Sequence, residues 1–267
     1  MLDRRGRPAR PTGAPDQRAR RRRELLAVAA LLAVAGALAA LLAIAALDGE
    51  PRGFDRRVLL ALRTPGDLAD PVGPAWLESL ARDVTALGGT GLLAFCTLAV
   101  AGFLLLERKP RAAGLILVSI FGGMLLASGL KGCFDRPRPD LVPHVTPVHT
   151  SSFPSSHAMV STIAYLSLAA LLARRRRGRA LRRYLFGVAA LLILAVGVSR
   201  VYLGVHWPTD VLAGWVVGAA WTIACWTIAL RLLPRHDVAQ DAGDGAEERA
   251  CARSAADRSA GSGPAGG

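Results

Sequence analysis

The chain has 267 residues, of which 52% are hydrophobic, and its formal net charge is +13 at pH 7. The apolar residues are concentrated in long runs, a distribution that excludes an ordinary soluble globular protein. Because the excess positive charge lies next to those runs, it indicates contact with a membrane rather than with nucleic acid.

The first predicted element is a transmembrane helix in the apolar run from Leu25 to Leu47. At about 1.5 Å per residue, this run exceeds a hydrocarbon core of roughly 30 Å. A cleaved signal peptide is the alternative, because Arg20 to Arg23 resemble a basic n-region, but the run is too long and lacks a clear cleavage site. The other predicted spans are 88–106, 112–130, 157–173, 185–199 and 211–230. The predicted fold is all-α, a polytopic membrane protein with six transmembrane helices.

Charge asymmetry predicts how these spans are oriented. With the N-terminus in the cytoplasm, the segments on that side contain 24 Lys and Arg against 10 acidic residues, whereas the opposite segments contain 9 against 10. Basic residues near helix ends remain on the cytoplasmic side. We therefore predict a multi-pass protein of the cell membrane with both termini in the cytoplasm and the connection 48–87 on the extracytoplasmic side.

The two ends of the chain have few residues that a core would bury. Residues 1–23 and 234–267 are predicted to be disordered cytoplasmic tails that flank a membrane domain at 24–233. Within the connection 48–87, the stretch from Trp76 to Leu87 has the apolar spacing of an amphipathic helix. It either lies in the membrane interface beside a lipid entrance or is a plain surface connector.

A first group of charged residues follows the third span. Lys131 and Arg138 are separated by six residues, and two prolines restrict the backbone around the arginine. A guanidinium binds two phosphate oxygens at once, and a lysine adds a compact charge. Taken alone, the two cations are better explained as a basic helix end facing lipid phosphates. Arg136 and Asp135 between them form either a supporting pair or two solvated charges.

A second group opens the fourth span. Ser155 and Ser156 precede an apolar run, which predicts a helix N-terminus, and helix N-termini bind anions through free amide groups. We expect the amides and hydroxyls of both serines to contact phosphate oxygens, and His157 to protonate a leaving alcohol. The alternative is a capped helix with a histidine in its first turn.

A third group connects the fifth span to the sixth and contains Arg200, His206 and Asp210. A carboxylate in the first turn of a helix is able to accept a hydrogen bond from one imidazole nitrogen, leaving the other to attack phosphorus. Taken alone, His206 and Asp210 also fit a metal site or a structural hydrogen bond. His144 and His149, in a Pro-rich loop, are predicted to lie at the surface or to contact substrate. No Cys/His cluster has zinc spacing, and we expect neither a metal nor a cofactor.

Together the three groups resemble the signature of the type 2 phosphatidic acid phosphatase (PAP2) family, which shares its active-site pattern with vanadium-dependent haloperoxidases. The resemblance covers roughly residues 25–232, and the segment 83–89 looks like one that is common in bacterial members. It implies a helical bundle of the PAP2 and haloperoxidase type. Its implied substrate is a lipid phosphate or diphosphate, such as phosphatidic acid, phosphatidylglycerol phosphate or polyprenyl diphosphate.

The resemblance also implies a role for each motif residue. His206 attacks phosphorus to form a phosphohistidine, Asp210 orients His206, and His157 acts as acid toward the leaving oxygen. The phosphoryl group is bound by Lys131, Arg138 and Arg200. Ser156 departs from the family pattern, which most often has glycine there, and we expect activity to be retained. A lipid phosphotransferase with the same intermediate and a non-catalytic lipid transporter are the alternatives.

Overall fold

The computed structural model describes residues 26, 28–39, 53–139, 151–174 and 178–232. The predicted tails, together with His144 and His149, lie outside these residues. The described chain is predominantly helical, as predicted, and also contains a small antiparallel hairpin. Its elements in chain order are α1 (Val28–Ala39), α2 (Gly53–Ala61), β1 (Arg63–Thr64), β2 (Asp67–Pro71), α3 (Ala75–Ala86), α4 (Thr90–Leu106), α5 (Pro110–Cys133), α6 (Ser156–Arg174), α7 (Arg179–Tyr202) and α8 (Pro208–Leu232).

Four of the described helices are long and apolar enough to cross a membrane, namely α5, α6, α7 and α8 through Ala229. The pair α3 and α4, bent by 45° at the break between them, adds a fifth candidate if it forms one span. The chain is therefore a membrane protein. The predicted first span, 25–47, lies partly outside the described residues. Its described part contains α1, which is a shorter apolar helix. Six spans remain a prediction.

The chain divides into two compact units, 1–227 and 228–267. All the predicted site residues lie in the first unit, and of the second unit the structure describes only the end of α8. In the first unit, an apolar core joins α4, α5 and α6 through fully buried side chains such as Ile116, Ile120 and Ile163. Helix α8 packs closely on α6, because a Cβ on Gly218 would lie 2.7 Å from the carbonyl oxygen of Met159.

Residues 53–89, which precede α4, fold against the end of the bundle that carries the motifs. Leu59 of α2 is fully buried in a cluster with Ala158, Trp207 and Val211. Helix α3 forms where the amphipathic pattern predicts one, and Trp76 of that pattern is 65% exposed. A short helix, α2, thus lies directly over the start of α6 and α8.

Candidate active site

The structure brings all three groups of predicted site residues together at one end of the helices. Lys131 and Arg200 lie in the last turns of α5 and α7, whereas His157 and Asp210 lie in the first turns of α6 and α8. The imidazole of His157 experiences the charges of four surrounding side chains, which are Arg200, His206, Lys131 and Arg138. Residues distant in sequence therefore form one cluster.

His206 is almost completely buried, with 1% of its surface exposed, and its two ring nitrogens have different surroundings. Nδ1 lies 3.5 Å from Oδ2 of Asp210 and 3.4 Å from Oγ of Ser152. Nε2 lies 3.4 Å from Nη1 of Arg138. Because a carboxylate accepts hydrogen bonds and does not donate them, Asp210 favours the proton on Nδ1. The lone pair of Nε2 then faces the cationic side.

Asp210 is held by donors to both carboxylate oxygens. Oδ2 accepts hydrogen bonds from Oγ of Ser152 and, at 2.9 Å, from the amide of Trp207. Oδ1 accepts a hydrogen bond from Nη1 of Arg136. The contact with Trp207 follows from local sequence, because α8 begins at Pro208 and an acid two residues later reaches back to the amide before the helix. These bonds fix the carboxylate beside the imidazole.

Two of the three predicted phosphate-binding cations are anchored by backbone carbonyl oxygens. Nζ of Lys131 donates to the carbonyl oxygen of Ser151 at 2.7 Å. Nη1 of Arg138 donates to that of Val205 at 2.9 Å. A carbonyl oxygen carries no formal charge, so these hydrogen bonds fix the two side chains without neutralising them. Arg138 reaches the ring of His206, and the charge of Lys131 acts on His157.

Arg200 reaches the site from the end of α7. Its Nη1 lies 3.3 Å from Oγ1 of Thr85, and its Nε is buried without a hydrogen-bond acceptor among the described residues. A buried guanidinium nitrogen without an acceptor is costly, and it fits a site that binds an anion.

The segment before α4, which the family resemblance includes, closes one side of the site. A Cβ on Gly88 would lie 2.4 Å from Cγ1 of Val196 and 3.4 Å from the carbonyl oxygen of His157. A side chain at this position would therefore displace α7 or the start of α6. Together with the Thr85 contact, this packing places the segment against His157 and Arg200.

The two predicted serines occupy different settings. Ser155 is fully buried, and its amide donates to the carbonyl oxygen of Asp210 at 3.1 Å, which differs from the expected contact of this amide with phosphate. Ser156 is half-buried and is the first residue of α6. The first backbone amides of a helix have no acceptor within the helix, so the amides of Ser156 and His157 are the ones suited to an anion.

Burial determines the charge state of His206. It lowers the pKa of His206 to about 4, while the hydrogen bond with Asp210 acts in the opposite direction. Burial also lowers the pKa of Arg138, again opposed by Asp210, but a guanidinium stays charged at neutral pH. At neutral pH the site therefore holds a neutral His206 next to fixed cations.

Three residues of the site, Arg136, Ser152 and Asp55, are not among the predicted site residues. For Arg136, both interpretations, a pair with Asp135 and a solvated charge, are wrong. Its guanidinium is buried between two carboxylates, with Nη2 2.8 Å from Oδ2 of Asp55 and Nη1 on Oδ1 of Asp210. Pro137, which follows Arg136 directly and restricts its backbone, is an available signal for Arg136. Asp55 lies 81 residues away from it, and nothing local in the sequence indicates the contact.

The backbone around Arg136 is tied to the neighbouring loops. Its carbonyl oxygen accepts a hydrogen bond from the amide of Ser152 at 2.9 Å, and that of Pro137 accepts one from Nε1 of Trp207 at 3.1 Å. The guanidinium also lies 5.8 Å from the centre of the Trp207 ring, within the range of a cation–π contact. The segment that carries both Arg136 and Arg138 is thus fixed to the loop that carries His206.

Within the part of the chain that the structure describes, no group of three or more His, Cys, Asp or Glu side chains is arranged to hold a metal ion. The cluster offers a neutral imidazole with an available lone pair, a second imidazole, three cations and a helix N-terminus. These groups suit a phosphate ester, because they combine anion binding with nucleophilic and acid–base functions.

Comparison with known proteins points in the same direction. A profile of the PAP2 superfamily matches residues 112–233, which include α6, α7, α8 and nearly all of α5. The chain is 34% identical over 147 residues to phosphatidylglycerophosphatase B of Bacillus subtilis, covering 54% of this chain and 70% of that protein. It is 31% identical over 126 residues to undecaprenyl-diphosphatase of Sulfolobus acidocaldarius, covering 45% and 57%.

A third relative is decaprenylphosphoryl-5-phosphoribose phosphatase of Mycobacterium tuberculosis, 31% identical over 134 residues, covering 49% of this chain and 69% of that protein. Among solved structures, a transmembrane PAP2 type phosphatidylglycerolphosphate phosphatase from Bacillus subtilis matches with a TM-score of 0.68 at 24% sequence identity. The match covers 76% of this chain and 98% of that chain, and it shows a shared fold.

Proposed function

Because this chain belongs to the PAP2 superfamily, we propose that it is a lipid phosphate hydrolase in which His206 is the nucleophile. The observation that carries the proposal is the setting of the His206 ring. Nδ1 lies beside the fixed carboxylate of Asp210, and Nε2 faces Arg138. A histidine that only stabilised the fold would not need an acceptor on one nitrogen and a cation on the other.

The reaction proceeds in two steps. In the first, Nε2 of His206 attacks phosphorus, an N–P bond forms, and the bond between phosphorus and the lipid oxygen breaks. His157 gives a proton to the leaving oxygen, and Asp210 stabilises the positive charge that develops on the His206 ring. In the second step, water attacks phosphorus and gives a proton to His157. The N–P bond breaks and inorganic phosphate leaves.

The cations act on the charge of the phosphoryl group. Lys131, Arg138 and Arg200 lie around His157, and the charges of Arg138 and Arg200 also act on His206. The three cations would contact the oxygens that do not leave. Positioned cations of this kind stabilise the transition state of phosphoryl transfer without a change in their own arrangement. The amides of Ser156 and His157 add donors from the helix N-terminus.

The substrate is a lipid with a terminal phosphate or diphosphate. The three relatives bear the names of a phosphatidylglycerophosphatase, an undecaprenyl-diphosphatase and a decaprenylphosphoryl-5-phosphoribose phosphatase, which share a phosphate on a lipid. The site lies at the ends of apolar helices, where a lipid head group would reach it while its tail stays in the bilayer.

We further propose that the chain crosses the cell membrane six times, with both termini in the cytoplasm and the active site on the extracytoplasmic side. The distribution of Lys and Arg supports this orientation, because 24 of them lie in the segments predicted to be cytoplasmic and 9 in the opposite ones. Labelling of Cys133, which is exposed at the end of α5, by a membrane-impermeant thiol reagent in intact cells tests it.

The deciding experiment for the function is phosphate release by the purified protein in detergent with EDTA present. Phosphatidylglycerol phosphate, phosphatidic acid and a polyprenyl diphosphate are compared as substrates, and free phosphate is compared with the dephosphorylated lipid formed. We expect phosphate to be released from at least one of these lipids, in an amount equal to that of the dephosphorylated lipid formed. His206→Ala should lower kcat by at least about 10⁴-fold. Activity that survives His206→Ala would contradict the mechanism, and product without free phosphate would indicate a transferase.

A further inference from the structure

Asp55 is a buried carboxylate that the reaction scheme above does not use. It lies on α2, before the residues that the superfamily profile matches, and it is 1% exposed. Oδ1 accepts a hydrogen bond from the amide of Thr209 at 3.0 Å, and Oδ2 accepts one from the Thr209 hydroxyl at 2.6 Å. Oδ2 also lies 2.8 Å from Nη2 of Arg136. Both oxygens therefore point at the helix start that carries Asp210.

Arg136 joins Asp55 to the carboxylate that orients His206. Its two terminal nitrogens are divided between them, with Nη2 on Asp55 and Nη1 on Asp210. All three side chains are at least 95% buried. Buried charges interact strongly because little solvent screens them. Removing the charge of Asp55 therefore changes the electrostatic environment of Asp210.

Helix α2 holds Asp55 in a fixed position. Leu59 lies one helical turn after Asp55, on the same face, and is fully buried against Ala158 and Trp207. Trp207 is the residue next to His206. Helix α2, which carries Asp55, therefore packs directly against the loop that carries His206.

The charges of Asp55, Arg136 and Asp210 explain why a second carboxylate is useful. Arg136 bound to Asp210 alone would neutralise it, and the carboxylate would then stabilise a positive imidazole ring poorly. With Asp55 also bound to Arg136, the three groups carry one net negative charge beside His206. That charge balances the positive charge that the ring acquires when Nε2 bonds to phosphorus.

We propose that Asp55 is a positioning residue for the His206–Asp210 pair, acting through Arg136, so that α2 forms part of the active site. This proposal rests on the proposed function. It assigns a role to α2, which lies outside the residues that the superfamily profile matches. It predicts an effect on the chemical step rather than on substrate binding.

The test is Asp55→Asn, which keeps the shape of the side chain and removes its charge. Asp70→Asn is the matched control, because Asp70 lies in β2, is exposed and bonds to the hydroxyl of Thr64. We expect Asp55→Asn to lower kcat by about tenfold to hundredfold with KM within about threefold, whereas Asp70→Asn matches the unchanged protein. A kcat for Asp55→Asn within about twofold of the control would overturn the proposal.

A double-mutant comparison tests the route through Arg136. In a background with Arg136→Gln, the same Asp55→Asn change should have little further effect on kcat, because the group through which Asp55 acts is gone. Losses that multiply would overturn the proposal. If Asp55→Asn alone does not fold, the double variant, which lacks both members of the Asp55–Arg136 ion pair, is compared with Arg136→Gln.

The two proposals fail in different ways. If His206→Ala is inactive while Asp55→Asn is fully active, the role of Asp55 is wrong and the phosphatase mechanism stands. If His206→Ala remains active, the mechanism itself is wrong, whatever Asp55→Asn does.

Discussion

The two nitrogens of the His206 ring face regions of opposite character. On the Nδ1 side, the carboxylate of Asp210 is enclosed by Ser152, the Trp207 amide and Arg136, all within the protein. On the Nε2 side lies Arg138, with the charges of Lys131 and Arg200 close to it. Of these, Lys131 and Arg200 form no ion pair with a carboxylate in the part of the chain that the structure describes.

The two sides of the His206 ring therefore have different functions. The Nδ1 side is a closed hydrogen-bond network, in which donors and acceptors match, so it fixes the ring and its tautomer. The Nε2 side keeps an excess of positive charge, which is costly in a protein interior unless an anion enters. Changes on the first side should therefore alter the chemical step, and changes on the second should alter substrate binding as well.

Among changes to the groups around His206, the largest expected effect comes from Asp210→Asn. This change removes the negative charge on the Nδ1 side and allows the wrong ring tautomer, because an amide can donate to Nδ1. We expect kcat to fall by about 10³-fold or more with KM nearly unchanged. Steady-state kinetics on the preferred lipid will measure it. A loss confined to KM would break the distinction between the two sides.

The buried ring should also titrate far below its ordinary range. An unperturbed histidine has a pKa of 6.5, and burial lowers that of His206 to about 4. Since the folded state resists protonation of this ring, His206 should stay neutral as pH falls through 6.5, and the folded state should lose stability between pH 6.5 and about 4. Nuclear magnetic resonance of labelled imidazoles will show the midpoint, with the His206 signal identified by its loss in His206→Ala. A midpoint near 6.5 would contradict the buried setting.

On the Nε2 side, Arg200→Lys tests whether a positive charge is sufficient. The lysine keeps the charge but loses the planar fork that binds two phosphate oxygens. We expect kcat/KM to fall by about 30-fold to 100-fold, with a rise in KM contributing to the loss. Arg82→Lys is the matched control, because Arg82 is exposed on α3 and pairs with Glu78. Equal kcat/KM for Arg200→Lys and the control would show that geometry is unimportant on this side.

Much of the fold could be predicted from the apolar runs, because a helix that crosses a bilayer must be apolar along most of its length. The apolar runs do not show where the helices begin and end, however. The predicted span 185–199 lies within the longer helix α7, whose first turns are basic, because a helix continues beyond its apolar part when polar residues there can reach water. Helix α2 was not predicted, since its mean hydropathy is low and it is held by the burial of Leu59 against distant residues.

The clustering of the motif residues was more predictable than the contacts that hold them in place. The motif residues stand out because cations and imidazoles are costly at helix ends beside a bilayer, and the family resemblance they gave is confirmed. Asp55 and Ser152 have no such signal. Asp55 contacts Thr209, 154 residues further along the chain, and a single aspartate in the first turn of a short helix does not reveal a contact made by folding.

Ser152→Ala removes one donor from the Nδ1 side and is a milder change than Asp210→Asn. Asp210 keeps its hydrogen bonds from Arg136 and the Trp207 amide, so the carboxylate should remain charged but less firmly placed. We expect kcat to fall by about tenfold, with KM unchanged, since a hydrogen bond to a charged group is being lost. Ser79→Ala, at an exposed position on α3, is the control. A change in KM without a change in kcat would place Ser152 on the substrate side instead.

The smallest effect is expected at Ser156, where the family most often has glycine. Ser156 is half-buried and begins α6, so its side chain has room that the fully buried Ser155 lacks. If the amide of Ser156 is its main contribution to the Nε2 side, Ser156→Gly keeps that amide and should leave kcat/KM within about threefold of the original. Lipid phosphate hydrolysis by the variant measures it directly. A rise of tenfold or more would show that the serine side chain crowds the phosphate, and a fall of that size would show that its hydroxyl binds it.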